Sequence, residues 1–140
     1  MFNYKIFFVI IFQLLIFCNI STAQLKPMDK VFITFLKIDD EVNVNGDNAL
    51  EMLGDYLKNK TTLEIVSNEN ESEYTIKLSV IEKKMGNRRG QIIVQKSNGE
   101  ETLFESKWVK GTINAFYGYS SSRHAIGVLV KKQLLGEYRI

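Results

Sequence analysis

The sequence predicts an α+β domain in which two helices cover one face of a mostly antiparallel five-stranded sheet, in the order β-α-β-β-β-β-α. Three observations carry this. Tyr74, Ile76, Leu78 and Val80 alternate with Thr75, Lys77 and Ser79, so one side of a strand faces a core and the other faces water. Asn98-Gly99 stands between two β-rich runs, a strong local hairpin signal. Ala49, Leu50, Leu53, Tyr56 and Leu57 recur at the spacing of one helical face.

Taken in order, Val31-Phe32-Ile33-Thr34-Phe35-Leu36 is rich in β-branched and aromatic residues and too short for a helix, so it reads as a buried strand. The polar stretch Asp39 to Asp47 breaks it. Asn48 with Glu51 three residues on fits a capping box for the first helix, and Asn59 can end it. Leu63-Glu64-Ile65-Val66 is a short second strand, and because the helix is a crossover, it suits a parallel position beside the first. The alternating strand from Tyr74 follows, then a loop marked by Gly86-Asn87 and Gly90, then the return strand through Ile92-Ile93-Val94.

A type I′ turn centred on Asn98-Gly99 pairs Lys96 with Glu101, Val94 with Leu103 and Ile93 with Phe104. The last strand runs to about Lys110. A final helix starts at Ser121 or Ser122, either of which can cap it. It carries the apolar face Ala125, Ile126, Val128, Leu129 and Val130, and ends at Gly136.

The first 23 residues read differently. Lys5 precedes a nearly continuous apolar run from Ile6 to Phe17, and Ser21-Thr22-Ala23 closes it with small residues at the outer positions. That is the plan of a secretory signal peptide cleaved after Ala23. The run is shorter than the roughly 20 apolar residues that cross a bilayer, which disfavours a retained anchor. A lipoprotein acylated at Cys18 would place bulky Phe17 where a small residue is the norm. Cys18 is the only cysteine, so residues 24–140 hold no thiol and form a single domain without disulfide, thiolate metal site or cysteine nucleophile. The expected location is the periplasm or outside the cell, with no integral membrane segment after cleavage.

Charge is unevenly spread. Residues 39–73 hold ten acids and two bases, and residues 74–140 hold five acids and twelve bases. Within one fold, the simplest outcome is that the two halves attract each other.

Catalytic signals are sparse. The single histidine, His124, follows Ser120-Ser121-Ser122-Arg123, but neighbours one or two apart on a helix point in different directions. The acidic and amide residues Asp39, Asp40, Glu41, Asn43, Asn45 and Asp47 miss the spacing of a calcium loop. No motif singles out a carboxylate pair for glycoside hydrolysis, and no cofactor is expected. Two segments point to binding instead. Lys83, Lys84, Arg88 and Arg89 gather four cations near a hairpin tip. The plain reading is a solvated tip whose charge keeps the hairpin from pairing with other chains; as a contact on an exported chain it suits an anionic lipid, glycan or acidic protein rather than nucleic acid. Phe116, Tyr117 and Tyr119 surround Gly118 just before the last helix. Exposed, they would form a recognition patch; buried, they would staple the helix entry onto the sheet.

The run Glu73-Tyr74-Thr75-Ile76-Lys77-Leu78-Ser79-Val80, the hairpin with Asn98-Gly99-Glu100, the return strand and the closing helix together resemble small bacterial envelope domains. In outline they are similar to the amino-terminal domain of TolB and to related domains of curli-secretion and penicillin-binding-protein-activator lipoproteins. The resemblance spans about residues 30–135 and rests on element order, so no particular partner or residue carries over. It implies a non-catalytic module that docks to an envelope protein or an anionic surface. The alternatives from the residues themselves are a small carboxylate-dependent hydrolase and a carrier of small apolar ligands.

Overall fold

The computed structural model describes residues 24–99, 101–113 and 120–140. The predicted signal peptide therefore lies outside the described residues, as do Phe116, Tyr117 and Tyr119.

The β-rich run after Asp29 forms β1 (Lys30–Phe35), and the acidic loop beyond it contributes a two-residue strand, β2 (Val42–Asn43). The helix α1 (Gly46–Lys60) follows. Its cap is Asn45, whose side chain accepts a bond from the Asn48 backbone N–H at 3.0 Å. Asn48 is thus the donor in the cap and not the cap itself, so the helix starts about one turn earlier than predicted. Then come β3 (Glu64–Val66), β4 (Tyr74–Glu82), β5 (Arg88–Lys96), β6 (Thr102–Glu105) and β7 (Val109–Gly111). The last helix, α2, begins at Ser121–Val128, widens into a π-helical stretch at Leu129–Leu134 and finishes at Leu135–Glu137. Ser120 caps it by accepting from the Arg123 N–H at 3.1 Å, which corrects the expectation of Ser121 or Ser122.

The fold is α+β, as the patterning predicts, but the sheet is mixed and has seven strands. The order is β3-β1-β4-β5-β6, with β2 beside β4 and β7 beside β5. The parallel pairing of β1 with β3 is as expected; β1 also runs parallel to β4. A parallel partner normally needs a crossover of a dozen or more residues. Here β3 is only three residues long, so residues 67–73 need only pass the start of β1, where Glu73 N–H donates to Lys30 O at 2.9 Å.

The two extra strands have local causes. β2 pairs Val42 with Glu82 and Asn43 with Ile81. The single predicted last strand breaks into β6 and β7 around Ser106. That residue holds Ile92 twice: its N–H donates to Ile92 O and its hydroxyl accepts from Ile92 N–H, both at 2.9 Å.

The β5–β6 hairpin also differs in register. Val94 faces Phe104, Ile93 faces Glu105 and Gln95 faces Thr102, with an irregularity between Val94 and Gln95. A bulge of one residue shifts the predicted partners. The Lys96–Glu101 pairing stands, with a backbone bond at 3.2 Å and an ion pair at 3.2 Å. Positive φ among the described residues occurs at Met28, Asp40, Met85 and Gly86 and not at Asn98 or Gly99. The turn is therefore not type I′: Lys96 and Glu101 enclose four residues, a loop length usually built on a type I turn.

One face of the sheet is apolar. Ile33, Ile76 and Val94 form one row and Phe35, Leu78 and Ile92 the next, and Val80 faces Gly90. Both helices lie on it. Gly46 and Gly54 of α1 abut Phe35 and Ile33, and Gly90 of β5 abuts Leu129 and Ala125 of α2. Leu53, Leu57, Ile126, Leu129 and Leu134 are fully buried there. Burying each such side chain stabilises by roughly 1.5–3 kcal/mol. The opposite face carries rows such as Thr34-Lys77-Ile93-Glu105 and Phe32-Thr75-Gln95-Thr102; neither of the two long helices lies on it, although Thr75, Ser79 and Ile81 there are buried. No helix among the described residues is long and apolar enough to cross a membrane.

Candidate functional site

The predicted basic segment lies at one end of the sheet, where β4 turns into β5. Lys83 N–H donates to Asn87 O at 2.6 Å and closes the loop. Inside it, Met85 (φ 64°) and Gly86 (φ 71°) are both left-handed. For glycine that conformation carries no steric cost, but for methionine it is a minority state with a penalty of about 1–2 kcal/mol. Met85 nevertheless sits there with its side chain 95% exposed.

Around this tip lie further apolar groups. Val42, paired with Glu82, is 67% exposed. On the open sheet face, Ile81 and Arg89 are register partners, and together with Ile38, Glu41, Lys83 and Trp108 they line a depression of about 300 Å³. Trp108, the only tryptophan in the chain, is 39% exposed.

The four predicted cations divide by their position in the strand. Residues 88 and 89 alternate across the sheet, so their side chains leave by opposite faces. Arg88 turns toward the helices, where its guanidinium donates to Ser122 Oγ at 2.9 Å and lies 3.5 Å from Glu82. Its backbone N–H donates to Ser121 Oγ at 3.1 Å. Lys83 is paired with Glu41. Lys84 and Arg89 are exposed and make no ion pair among the described residues. Two of the four cations thus hold the end of the sheet together, and Lys84 and Arg89 take no part in that.

Sequence reasoning reached the cations but not Met85, Val42, Ile38 or Trp108. A lone apolar residue inside Lys84-Met85-Gly86 was the available signal: nothing about a hairpin tip requires one.

The other residues weighed from sequence have structural duties. Asn43 staples its own loop: its amide donates to Ile38 O and Glu41 O and its oxygen accepts from Ile38 N–H, at 2.9–3.0 Å. Asn45 serves the helix cap and Glu41 pairs with Lys83, so three of the six acidic and amide residues of that loop have structural partners. No group of three or more acidic, histidine or cysteine side chains able to hold a metal occurs among the described residues. His124 is engaged by Thr112 rather than by a serine, with Thr112 N–H donating to Nδ1 at 3.2 Å. Two ion pairs, Lys83–Glu41 and Arg123–Asp55 at 4.0 Å, join the acidic and basic halves.

At the opposite end of β4, Glu73 is held above its ordinary carboxylate pKa. Loss of solvation is the main cause, followed by a hydrogen bond to Asp29 and that residue's charge, with Lys30 acting the other way.

Comparison with protein-family models, with curated proteins and with solved structures finds no match for this chain.

Proposed function

We infer that the protein is an exported, non-enzymatic binding or accessory module of the bacterial cell envelope, docking through the β4–β5 end to a protein or other surface partner that is acidic and partly apolar. The observation that carries this is Met85. A methionine held in a left-handed turn, almost wholly in water and beside unpaired Lys84 and Arg89, has no evident role in the fold. Strained backbone supports a functional reading when the surroundings impose it. Exposed apolar groups rimmed by charge are typical of contact surfaces.

The depressions described on the surface suit recognition better than hydrolysis. One lined by two carboxylates, Glu51 and Asp55, has both on α1 one turn apart, side by side rather than facing across a cleft. The likeness in element order to envelope docking domains points the same way, and Phe116, Tyr117 and Tyr119 remain candidates for part of the contact.

The test is recovery of envelope partners by the mature protein in three forms: wild type, Met85→Ser/Arg89→Glu, and Tyr117→Ala/Tyr119→Ala. Vesicles with anionic lipid run in parallel. A partner retained by wild type and lost by the first variant supports the reading. Equal recovery of everything by all three forms overturns it. The amino-terminal sequence of secreted material should begin at Gln24; an intact Met1 would remove the export premise.

A further inference from the structure

We propose that the hollow between α1 and α2 is a binding site for a phosphoryl group, independent of the hairpin end. The hollow, about 310 Å³, is lined by Tyr56, His124, Gly127, Val128, Lys131 and Lys132. Every charged group on that list is a cation, and no carboxylate lines the walls.

Its geometry follows from three features of the chain. The Thr112 N–H donates to His124 Nδ1 at 3.2 Å, so in the neutral ring Nδ1 is the acceptor and Nε2 carries the proton. The ring, which lines the hollow, therefore keeps an N–H to donate, as an anion requires. Lys131 lies over the Tyr56 ring with its ammonium 5.3 Å from the centroid, which fixes one cation against the wall by cation–π attraction. The third feature is the π-helical stretch Leu129–Leu134. Gly127 and Lys131, and likewise Val128 and Lys132, are four residues apart, the spacing that sets side chains on one helical face, and the stretch that carries both lysines takes a π-helical form that recurs at functional sites. Gly127 completes the hollow: a Cβ there would meet Tyr56 Oη at 2.8 Å, so only glycine lets the phenol lie against α2.

Two lysines and an imidazole N–H suit an oxyanion with several acceptor oxygens, and the Tyr56 ring with Val128 suits a small organic body attached to it. A phosphate monoester in solution and a phospholipid headgroup share that chemistry.

His124 is the only histidine, so its ring protons give an unambiguous NMR signal. The mature protein is titrated at fixed pH with sodium phosphate, glycerol phosphate and sodium chloride at matched ionic strength. A saturable shift with both phosphates and not with chloride is expected, and the Lys131→Gln/Lys132→Gln variant should bind at least about tenfold more weakly. Both lysines are exposed, and unchanged circular dichroism checks that the variant is folded. Vesicles of phosphatidylglycerol form the second arm: retention that the double variant loses assigns the headgroup, and soluble-ester binding without retention assigns a free monoester. A shift equal in chloride, or one unchanged in the double variant, overturns the proposal.

Discussion

The two helices rest on the same sheet face and both bury leucines there, but parts of them approach it with different clearance. Helix α1 is held by volume: Leu53 and Leu57 are fully buried, and its Gly54 has room, since an added Cβ would stand 3.7 Å from Ile33. Helix α2 is held by close approach. A Cβ on Gly111 would lie 1.8 Å from the Ser121 carbonyl oxygen, and one on Gly90 2.9 Å from Leu129 Cδ1. The start of α2 is further tied by Ser121, whose hydroxyl donates to Gly111 O at 3.0 Å and accepts from Arg88 N–H at 3.1 Å. At Gly54 the α1 seat leaves room for a small change of shape, whereas at Gly111 the α2 seat leaves none, because a backbone contact has no rotamer with which to yield.

That contrast can be broken or sharpened by substitution. The largest effect is expected for Gly111→Ala. Overpacking usually costs about 1–3 kcal/mol, and here the obstacle is backbone, so a loss of about 4 kcal/mol is expected in urea unfolding. Leu53→Ala should cost about 3 kcal/mol, the usual outcome of emptying a buried leucine site. If Gly111→Ala proves the milder of the two, the close-approach seat is not what holds α2.

Ser121→Ala should cost about 1–3 kcal/mol, because the Arg88 N–H loses its acceptor in a buried place. Its melting temperature would fall well below that of Ser122→Ala if the backbone bond matters more than the guanidinium bond. Gly54→Ala should go the other way, raising stability by about 0.5–1 kcal/mol through helix propensity alone. A destabilised Gly54→Ala would show that α1 is as tightly seated as α2.

The smallest effect lies outside both helix seats. Glu73 has a folded pKa raised above the ordinary carboxylate value, so it favours the folded state when protonated, below the unfolded pKa. That contribution is lost as pH rises through the folded pKa. Glu73→Gln should therefore raise the melting temperature slightly at pH 7 and leave it unchanged near pH 3; a lower melting temperature at pH 7 would reverse the assignment.

Much of the α1 side was legible in advance. The helical recurrence of Ala49, Leu53 and Leu57, the alternation in β4 and the parallel placement of β3 beside β1 all express period and connection length, which a sequence displays directly. The α2 side was much less legible. Its apolar stripe could be read, but not that Ser120 caps it while Ser121 and Ser122 turn inward, since all three are good caps. At the candidate site, the four cations were visible and their division was not. Strand alternation separates Arg88 from Arg89 only once β5 is known to begin at Arg88.

By itself the amino-acid order determined an α+β domain with two amphipathic helices, because burial periods of two and 3.6 residues are properties of the chain. It also determined that residues 24–140 carry no thiol. Only the tertiary structure decided that the sheet is mixed, that a one-residue bulge shifts β6, and that His124, Lys131 and Lys132 converge with Tyr56 from another helix. Those outcomes depend on which segments meet across long stretches of chain, and the energies that choose among such meetings belong to contacts that no local pattern encodes.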